Sequence, residues 1–230
     1  MGIVIAVASG KGGTGKTSVT GGVAAALAMA GQRVLCIDMD IGLRNLDISL
    51  GLSDRALMDF ADVALGRCTL SRAAVRHPDL KELSLLTAPM ALPPSLSPYR
   101  VRSMLSAART LYDYVLIDAP AGLGPGFQYA VCGADRALVV ATNDASSLRD
   151  AQRVVAELDW LPQVHLVMNR IQPKLLRKLR TTIDDAMNTA GLPLIGVIPE
   201  DAQVMLCANR GIPLTSQGRK GAAMACRNIA

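Results

Sequence analysis

The feature that most constrains this chain is a glycine-rich loop between an apolar run and a helical pattern. Residues 10–17 are Gly-Lys-Gly-Gly-Thr-Gly-Lys-Thr and match the pattern G-x-x-x-x-G-K-[ST]. The loop directly follows the apolar run Ile3–Ala8, and a segment with apolar residues at i, i+4 and i+8 opens near Lys16. Glycines let successive backbone N–H groups converge, and a helix start adds free N–H donors. The loop is therefore predicted to bind the phosphates of a nucleotide.

The predicted nucleotide site takes its first members from this loop. Lys16 is expected to place a positive charge near the β- and γ-phosphates, and the Thr17 hydroxyl is expected to ligate Mg²⁺. The predicted nucleotide-binding residues here are Gly10, Lys11, Gly12, Gly13, Thr14, Gly15, Lys16, Thr17 and Ser18. The alternative is a glycine-rich turn that merely precedes a helix, which the strand–loop–helix context disfavours.

The rest of the chain predicts an α/β fold, a single-domain P-loop NTPase with a mostly parallel twisted sheet and helices on both faces. Half of the 230 residues are hydrophobic and only 3% are aromatic, which suits buried parallel strands under helices. Apolar runs of strand length alternate with helical patterns. The expected strands are Ile3–Ala8, Val34–Ile37, Leu83–Thr87, Tyr114–Ile117, Ala137–Ala141, Val164–Met168 and Leu194–Ile198. Helices are expected near 16–30, 55–65, 99–110, 146–159, 174–190, 201–209 and 219–229, within one domain over residues 1–230.

Charge and cysteine content narrow the class of protein. The net charge of +5 permits an anionic partner, either a lipid surface or a nucleic acid, without requiring one. Five scattered cysteines without a CxxC pair favour reduced thiols in a cytosolic protein and disfavour an iron–sulfur site. The two histidines have no partner at metal-ligand spacing, so no zinc site is predicted. No apolar run has the length of a membrane span, and the N-terminal run is too short for a signal peptide.

Two acidic segments follow predicted strands. The first contains Asp38 and Asp40, and the second is an apolar run that ends in Asp118. Carboxylates at strand ends beside a phosphate site can orient a water molecule or hold hydrated Mg²⁺. Thr17, Asp40 and Asp118 are therefore the predicted metal ligands. Either segment alone would be an unremarkable acidic turn or strand end.

A strand that ends in Asn169-Arg170 is the predicted contact with the base. A side-chain amide can both donate to and accept from the adenine edge. The segment from Asn169 to Gln172 lacks the acid of the guanine-specific pattern N-K-x-D, which favours ATP over GTP. The alternative for Asn169 is a turn former at a strand end.

The second lysine of the loop, Lys11, carries a resemblance to a family. The string K-G-G-x-G-K-[ST] resembles the loop of the MinD/ParA family of deviant Walker A P-loop ATPases. Residues 38–47 fit D-x-D-I-G-L-R-N-L-D and residues 118–122 fit D-x-P-A-G, similar to switch I and switch II of the MinD branch. The resemblance spans Ile3 to Ile229. Without it, Lys11 would be a solvated loop cation.

The resemblance implies roles for particular residues. Lys11 is expected to reach across an ATP-bound homodimer to the nucleotide of the partner, and Asp40 is expected to position the attacking water. The implied catalytic residues are Lys11, Lys16 and Asp40; the implied base contacts are Asn169, Arg170, Pro199, Glu200 and Asp201; and the implied partner-binding residues are Arg44, Asn45 and Asp150.

The resemblance also implies an Mg²⁺-dependent ATPase that acts as a switch in bacterial division-site placement. Its expected partners are a second copy, a MinC-like division inhibitor, a MinE- or DivIVA-type topological regulator and an anionic membrane. The expected location is the cytoplasm, with reversible binding to the inner face of the cell membrane. Two departures stand out. Residues 142–150 are one residue shorter than T-N-P-E-x-S-S-x-R-D and lack its Pro-Glu, and no basic amphipathic helix follows Ile229.

Other functions stay open at this level. A ParA-like DNA-partition ATPase or a flagellar-placement relative would share the loop. A metabolic P-loop kinase or ligase would need an acceptor pocket, and a scaffold would bind nucleotide without hydrolysing it. The basic segment 170–180 is expected to be a solvated helix face, with a nucleic-acid or lipid contact as the alternative.

Overall fold

The computed structural model describes all of residues 1–230 and contains one eight-stranded sheet. Its strands are β1 (Ile3–Ala8), β2 (Val34–Asp38), β3 (Val75–Arg76), β4 (Leu83–Leu86), β5 (Tyr114–Asp118), β6 (Arg136–Ala141), β7 (Val164–Ile171) and β8 (Leu194–Pro199). Their order across the sheet is β3-β4-β2-β5-β1-β6-β7-β8, and β3 alone pairs antiparallel. The mostly parallel sheet is confirmed, with all seven expected strands. Strand β3 was not predicted, because two residues are too short for a pattern.

Helices cover both faces of this sheet. They are α1 (Lys16–Met29), α2 (Leu46–Leu50), α3 (Phe60–Ala64), α4 (Leu70–Ala73), α5 (Pro98–Leu111), α6 (Pro125–Val131), α7 (Ala145–Glu157), α8 (Pro173–Leu179), α9 (Ile183–Ala190), α10 (Ala202–Asn209) and α11 (Gly221–Ile229), with a 3₁₀ turn at Leu214–Ser216. Helices α1, α2, α10 and α11 bury apolar side chains on one face, and α5, α6, α7 and α9 do so on the other. None of the helices combines the length and the hydropathy that crossing a bilayer requires.

Helix α1 is more deeply buried than its pattern predicts. The i, i+4, i+8 spacing predicts one face toward the sheet, but every residue from Val19 to Ala28 is buried. The outer side is covered by α11 and the 3₁₀ turn, where the Sγ of Cys226 would lie 2.7 Å from a Cβ placed on Gly22. The helix ends in a Schellman motif, because the Gln32 N–H donates to the Leu27 carbonyl and Gly31 takes a φ of 86°.

Two expected helices differ markedly from the structure, and local capping explains both; the other boundaries shift by one to three residues, as at the end of β7. The helix expected at 55–65 begins at Phe60, because the carboxylate of Asp59 caps it. The helix expected at 174–190 is two helices, since Arg180 takes a left-handed φ of 52° and Thr182 opens a new capping box. The helix expected near 99–110 begins one residue earlier, because Pro98 is the first residue of α5. Helices α2, α4 and α6 were not predicted.

The end of α2 touches the loop that follows α10. Gly51 has a φ of 69°, and a Cβ placed on it would lie 1.9 Å from the carbonyl oxygen of Gly211. The two backbones therefore meet with no room for a side chain. This holds the end of α2 against the segment that follows α10.

The carboxyl ends of the parallel strands meet at one edge of the sheet. The loops that leave β1, β2, β5, β7 and β8 start there, at residues 9, 39, 119, 172 and 200. In open parallel sheets this edge is where ligands bind. All predicted nucleotide-binding segments start at or beside it.

Candidate nucleotide-binding site

The loop between β1 and α1 is shaped by close packing on two sides. A Cβ placed on Gly10 would lie 2.3 Å from the carbonyl oxygen of Asp150, and one on Gly15 would lie 2.3 Å from Nδ2 of Asn169. Gly15 also has a φ of 84°, which L side chains rarely adopt. Nothing lies within 4 Å of a Cβ placed on Gly12 or Gly13. The loop thus packs against the protein at both ends and is open in its middle, where phosphates would approach.

A buried cluster lies below the loop and is centred on Asp118. The Nζ of Lys16 donates to Oδ1 of Asp118 at 2.7 Å, and the Oγ1 of Thr17 donates to Oδ2 at 2.7 Å. The Thr20 hydroxyl adds a longer bond of 3.2 Å to Oδ1. The Lys16 side chain is only 6% exposed. Lysine, threonine and carboxylate are thus preassembled, and the lysine charge is neutralised by Asp118.

A second carboxylate, Asp38, lies beside Asp118. Asp38 and Asp118 are direct partners in the register of β2 and β5. The Asp38 carboxylate accepts the N–H groups of Asp40 at 2.9 Å and Leu46 at 3.1 Å, so it holds both ends of the loop between β2 and α2. Burial, and then the nearby charge of Asp118, raise the pKa of Asp38 to about 7. Burial also raises the pKa of Asp40, and the charge of Lys16 opposes that rise.

This arrangement fits magnesium bound together with nucleotide phosphates. Mg²⁺ prefers oxygen ligands and is held by one or two carboxylates, with phosphates and water completing its shell. Thr17 and Asp118 offer such oxygens side by side, and Asp40 and Thr17 line one cavity. The buried Oγ1 of Thr14 has no hydrogen-bond partner, which leaves a polar atom in the loop available to a ligand. No group of three or more His, Cys, Asp or Glu side chains is arranged as a metal site.

The other lysine of the loop makes its contacts outside the Asp118 cluster. Lys11 is 32% exposed, and its Nζ donates to Oδ1 of Asp144 at 2.7 Å and to Oγ of Ser146 at 2.9 Å. The structure therefore does not bring Lys11 together with Lys16 in one subunit. The predicted roles of both lysines at the phosphates stay predictions.

The end of β7 braces the loop where base contacts were predicted. The Nδ2 of Asn169 donates to the carbonyl oxygen of Thr14 at 2.7 Å, and the Nη1 of Arg170 donates to that of Gly13 at 2.9 Å. Arg170 has a φ of 58° and lies 3.3 Å from a carboxylate oxygen of Glu200. These residues and the loop line one cavity of about 570 Å³, large enough for a nucleotide.

The remaining predicted base contacts line the same cavity, and one has a structural role as well. Pro199, Glu200 and Asp201 border it, as does Ser18 in the first turn of α1. The Asp201 carboxylate accepts the N–H groups of Gln203 at 2.9 Å and Ala222 at 3.0 Å, so it links the starts of α10 and α11.

The predicted partner-binding residues are not gathered in one place. Asn45 lines the cavity at the start of α2, and Arg44 takes a left-handed φ of 48° beside it. Asp150 lies on α7 against Gly10, with its carboxylate 3.6 Å from Arg153.

Four residues of the site were not predicted. Asp38 could have been suspected from its place at a strand end next to the Asp118 strand. Thr20 lies one helical turn after Lys16, which is a weak signal without the fold. Asp144 and Ser146 contact Lys11 across more than 130 residues of sequence, and no local pattern announces such a contact.

Comparison with known proteins places this geometry among nucleotide-binding domains. Residues 5–214 match the family model described as the CobQ/CobB/MinD/ParA nucleotide binding domain. The chain is 40% identical to the septum site-determining protein MinD of Helicobacter pylori, over 93% of the chain and 84% of that protein.

Solved structures of similar proteins share the fold. The MinC:MinD cell division protein complex of Aquifex aeolicus matches with a TM-score of 0.91 at 35% identity, over 99% of this chain and 93% of that chain. The septum site-determining protein MinD of Pyrococcus horikoshii, complexed with Mg-ADP, matches with a TM-score of 0.86 at 28% identity, over 100% of this chain and 94% of that chain.

Proposed function

The chain belongs to the CobQ/CobB/MinD/ParA family of nucleotide-binding domains, and from that premise we propose that it is an ATP-driven switch in bacterial division-site placement. In this proposal two ATP-bound copies associate through their loop faces, and hydrolysis of ATP to ADP and phosphate separates them. The dimer recruits a MinC-like division inhibitor, and a MinE- or DivIVA-type regulator stimulates hydrolysis. The protein resides in the cytoplasm and binds the inner face of the cell membrane reversibly.

One observation carries the proposal: the two lysines of one loop occupy different environments. Lys16 is buried beside Asp118, where it can serve the nucleotide of its own subunit. Lys11 lies on the exposed side of the loop. A single bound nucleotide needs one such ammonium group, so a second one on the outer surface suits the nucleotide of a facing copy.

The residues of the site suggest how hydrolysis is supported. Lys16 would exchange its bond to Asp118 for the phosphates, which frees a carboxylate beside the Thr17 hydroxyl to hold the cation. Bound Mg²⁺ supplies charge neutralisation at the phosphates. Asp40, whose pKa is raised by burial, would accept a hydrogen bond from the attacking water.

The Asn169 amide can contact a base although it also braces the loop. Its Nδ2 uses one of two N–H groups on the Thr14 carbonyl, so the amide retains its oxygen and a second N–H for a base in the cavity. The oxygen can accept from the 6-amino group of adenine. The segment from Asn169 to Gln172 lacks the acid of the guanine-specific pattern N-K-x-D, and we therefore expect ATP to bind more tightly than GTP.

Residues 38–47 and 118–122, which resemble the two switch segments of the family, are in contact. This suits a movement of both segments together when the γ-phosphate is lost. The Met39 N–H donates to the Asp118 carbonyl at 2.9 Å, and Ile41 and Pro120 both lie beside Gly126, at 3.3 Å and 3.0 Å from a Cβ placed on it. Loss of the γ-phosphate beside Asp40 would thus be felt in the segment after Asp118. A partner bound to the dimer would sense both segments.

The oligomeric state with nucleotide tests the proposal. Light scattering after gel filtration should give a dimer with ATP and a monomer with ADP for an Asp40→Ala variant, which binds ATP without turning it over. Lys11→Ala should stay monomeric with ATP while its affinity for ATP remains within about threefold of wild type. A wild-type chain and an Asp40→Ala variant that are both monomeric with ATP would overturn the dimer, and unchanged hydrolysis in Asp40→Ala would overturn the role of that residue.

The basic residues of α8 favour one rival, a DNA-partition ATPase. None of the side chains of α8 is buried, and Lys174, Arg177 and Lys178 carry its positive charge. Sedimentation with anionic liposomes and salt-dependent DNA binding, each with and without ATP, separate the two functions. ATP turnover that requires a small-molecule acceptor would instead indicate a metabolic kinase or ligase.

A further inference from the structure

Thr20 has two acceptors within reach of its one hydroxyl proton. It lies on α1 one turn after Lys16, and both Thr20 and Asp118 are fully buried. Its Oγ1 is 3.0 Å from the carbonyl oxygen of Lys16 and 3.2 Å from Oδ1 of Asp118. A hydroxyl group carries a single proton, so it makes a full hydrogen bond to only one of these two oxygens at a time.

The ammonium group of Lys16 decides which acceptor the hydroxyl prefers. Lys16 Nζ lies 2.7 Å from the same Oδ1, so that oxygen already has a stronger, charge-assisted bond. With the lysine in this place, the nearer acceptor, the Lys16 carbonyl oxygen, takes the Thr20 proton. This carbonyl does not depend on the hydroxyl, because it lies in the first turn of α1 and accepts a backbone N–H four residues later. The hydroxyl can therefore turn away without leaving an unpaired carbonyl.

Departure of the lysine would leave Oδ1 of Asp118 in need of a donor. Lys16 and Thr20 are the only groups that donate to this oxygen, and the Thr17 hydroxyl donates to Oδ2 at 2.7 Å. Because Asp118 has no exposed surface, an unpaired carboxylate oxygen here costs the full penalty of a buried charged acceptor. Among the groups in contact with Oδ1, only Thr20 can replace the lysine.

We propose that Thr20 is a positioning residue that takes over Oδ1 of Asp118 when Lys16 turns to the phosphates. The hydroxyl rotates about its Cβ–Oγ1 bond, so that it donates to the carboxylate instead of the Lys16 carbonyl. With Thr17 on Oδ2 and Thr20 on Oδ1, the carboxylate keeps its orientation after the lysine has left. The proposal rests on the proposed function, in which Lys16 serves the nucleotide of its own subunit.

The first experiment imitates the departure of the lysine in nucleotide-free protein. Lys16→Met leaves Oδ1 without the ammonium group. Adding Thr20→Val, which keeps the shape of the side chain, should then lower the folding equilibrium constant about tenfold. In the wild-type background the same change should lower it by no more than about threefold, because Lys16 still holds Oδ1. Urea unfolding measures both losses, and equal losses in the two backgrounds would contradict the proposal.

The second experiment keeps Lys16 and measures, by calorimetry, the affinity for Mg²⁺ with a non-hydrolysable ATP analogue. Thr20→Val should raise the dissociation constant about tenfold, because only the bound state loses its donor to Oδ1. Thr20→Ser keeps the hydroxyl and should stay within about twofold of wild type. An unchanged affinity in Thr20→Val, or a weakening that Thr20→Ser shares in full, would overturn the proposal.

Thr215→Val is the matched control for the calorimetry. Thr215 is also fully buried, and its hydroxyl lies 3.4 Å from the Gly22 carbonyl of the same helix α1. It makes no hydrogen bond to Asp118, so its replacement should leave the dissociation constant unchanged. If Thr215→Val weakens binding as much as Thr20→Val does, the effect belongs to the packing of α1, and the role of Thr20 is wrong.

The measurements separate failure of this inference from failure of the proposed function. If the wild-type protein shows no affinity for the magnesium-bound analogue, the proposed function is wrong. The step in which Lys16 turns to the phosphates is then wrong with it, whatever the unfolding result. If the wild type binds the analogue but Thr20→Val changes neither its affinity nor the stability of the Lys16→Met protein, only the role of Thr20 is wrong.

Discussion

The two sides of the phosphate loop, an inner side around Asp118 and an outer side around Asp144, place a lysine in different surroundings. On the inner side, Lys16 lies among the buried carboxyl groups of Asp38 and Asp118 and the hydroxyls of Thr17 and Thr20, and the two carboxyl groups outnumber the one ammonium group. On the outer side, Lys11 and Asp144 form a balanced pair that solvent reaches. The inner side therefore carries negative charge that one more positive charge can neutralise. On the outer side the two charges already balance. A divalent cation belongs with the first, and a reversible contact between subunits belongs with the second.

Replacing Lys16 should have the largest effect, because it leaves Asp118 charged and buried without its partner. We expect Lys16→Met, which keeps the volume, to lower the free energy of unfolding by about 3–5 kcal/mol and to abolish ATP hydrolysis. Urea unfolding of nucleotide-free protein is the measurement. A second change, Asp118→Asn, should restore much of the stability without restoring activity. A loss of unfolding free energy below about 1 kcal/mol in Lys16→Met would show that Lys16 and Asp118 are not strongly coupled.

The stability of the protein should depend on pH through Asp38. Its pKa in the folded state is raised to about 7, so between its ordinary value of 3.8 and about 7 the folded protein binds more protons than the unfolded chain. The contribution is present in full below about pH 4 and is lost as the pH rises through 7. Relative to Asp38→Asn, the free energy of unfolding should fall by an amount on the order of 2–4 kcal/mol between pH 4.5 and pH 8. Parallel pH profiles of the two proteins would contradict the crowding of carboxylates on the inner side.

Substitutions of Asn169 test how much its hydrogen bond to the Thr14 carbonyl, which lies between the two sides, stabilises the loop. Asn169→Asp keeps the shape but removes the donor to the Thr14 carbonyl, and Asn169→Ala removes the side chain. Both should cost about 1–3 kcal/mol of stability, because a buried carbonyl loses its partner. Calorimetry should also show weaker ATP binding in both. If Asn169→Asp matches wild type in stability, the bond to Thr14 contributes nothing.

The smallest effect on stability is expected at Lys11. Lys11→Ala breaks a partly exposed pair, so the free energy of unfolding should change by less than about 1 kcal/mol. Lys174→Ala, an exposed lysine without such a pair, is the matched control. A loss of 2 kcal/mol or more in Lys11→Ala, measured by the same urea unfolding, would erase the contrast between the two sides.

The inner side was largely predictable from sequence, and the outer side was not. Lys16, Thr17 and Asp118 follow from short patterns that adjoin apolar strands, and parallel strands bring their ends to one edge. The contact of Lys11 with Asp144 depends on how α7 packs against Gly10, a long-range geometry that no local pattern encodes. Local structure was missed for a similar reason. Helices α2, α4 and α6 are too short for a clear periodic signal, and the break at Arg180 depends on a left-handed residue that composition does not disclose.

The close approach of Gly51 and Gly211 restrains how far residues 39–50 can move when nucleotide binds. Asp38 anchors one end of residues 39–50 at the sheet, and the glycine contact anchors the other end against the segment after α10. A rearrangement triggered by nucleotide can bend the chain between these anchors, but it cannot be relieved by sliding the chain beyond them. We therefore expect the displacement to be largest between the two anchors, and a methyl group at Gly51, which would meet the Gly211 carbonyl, would loosen that restraint.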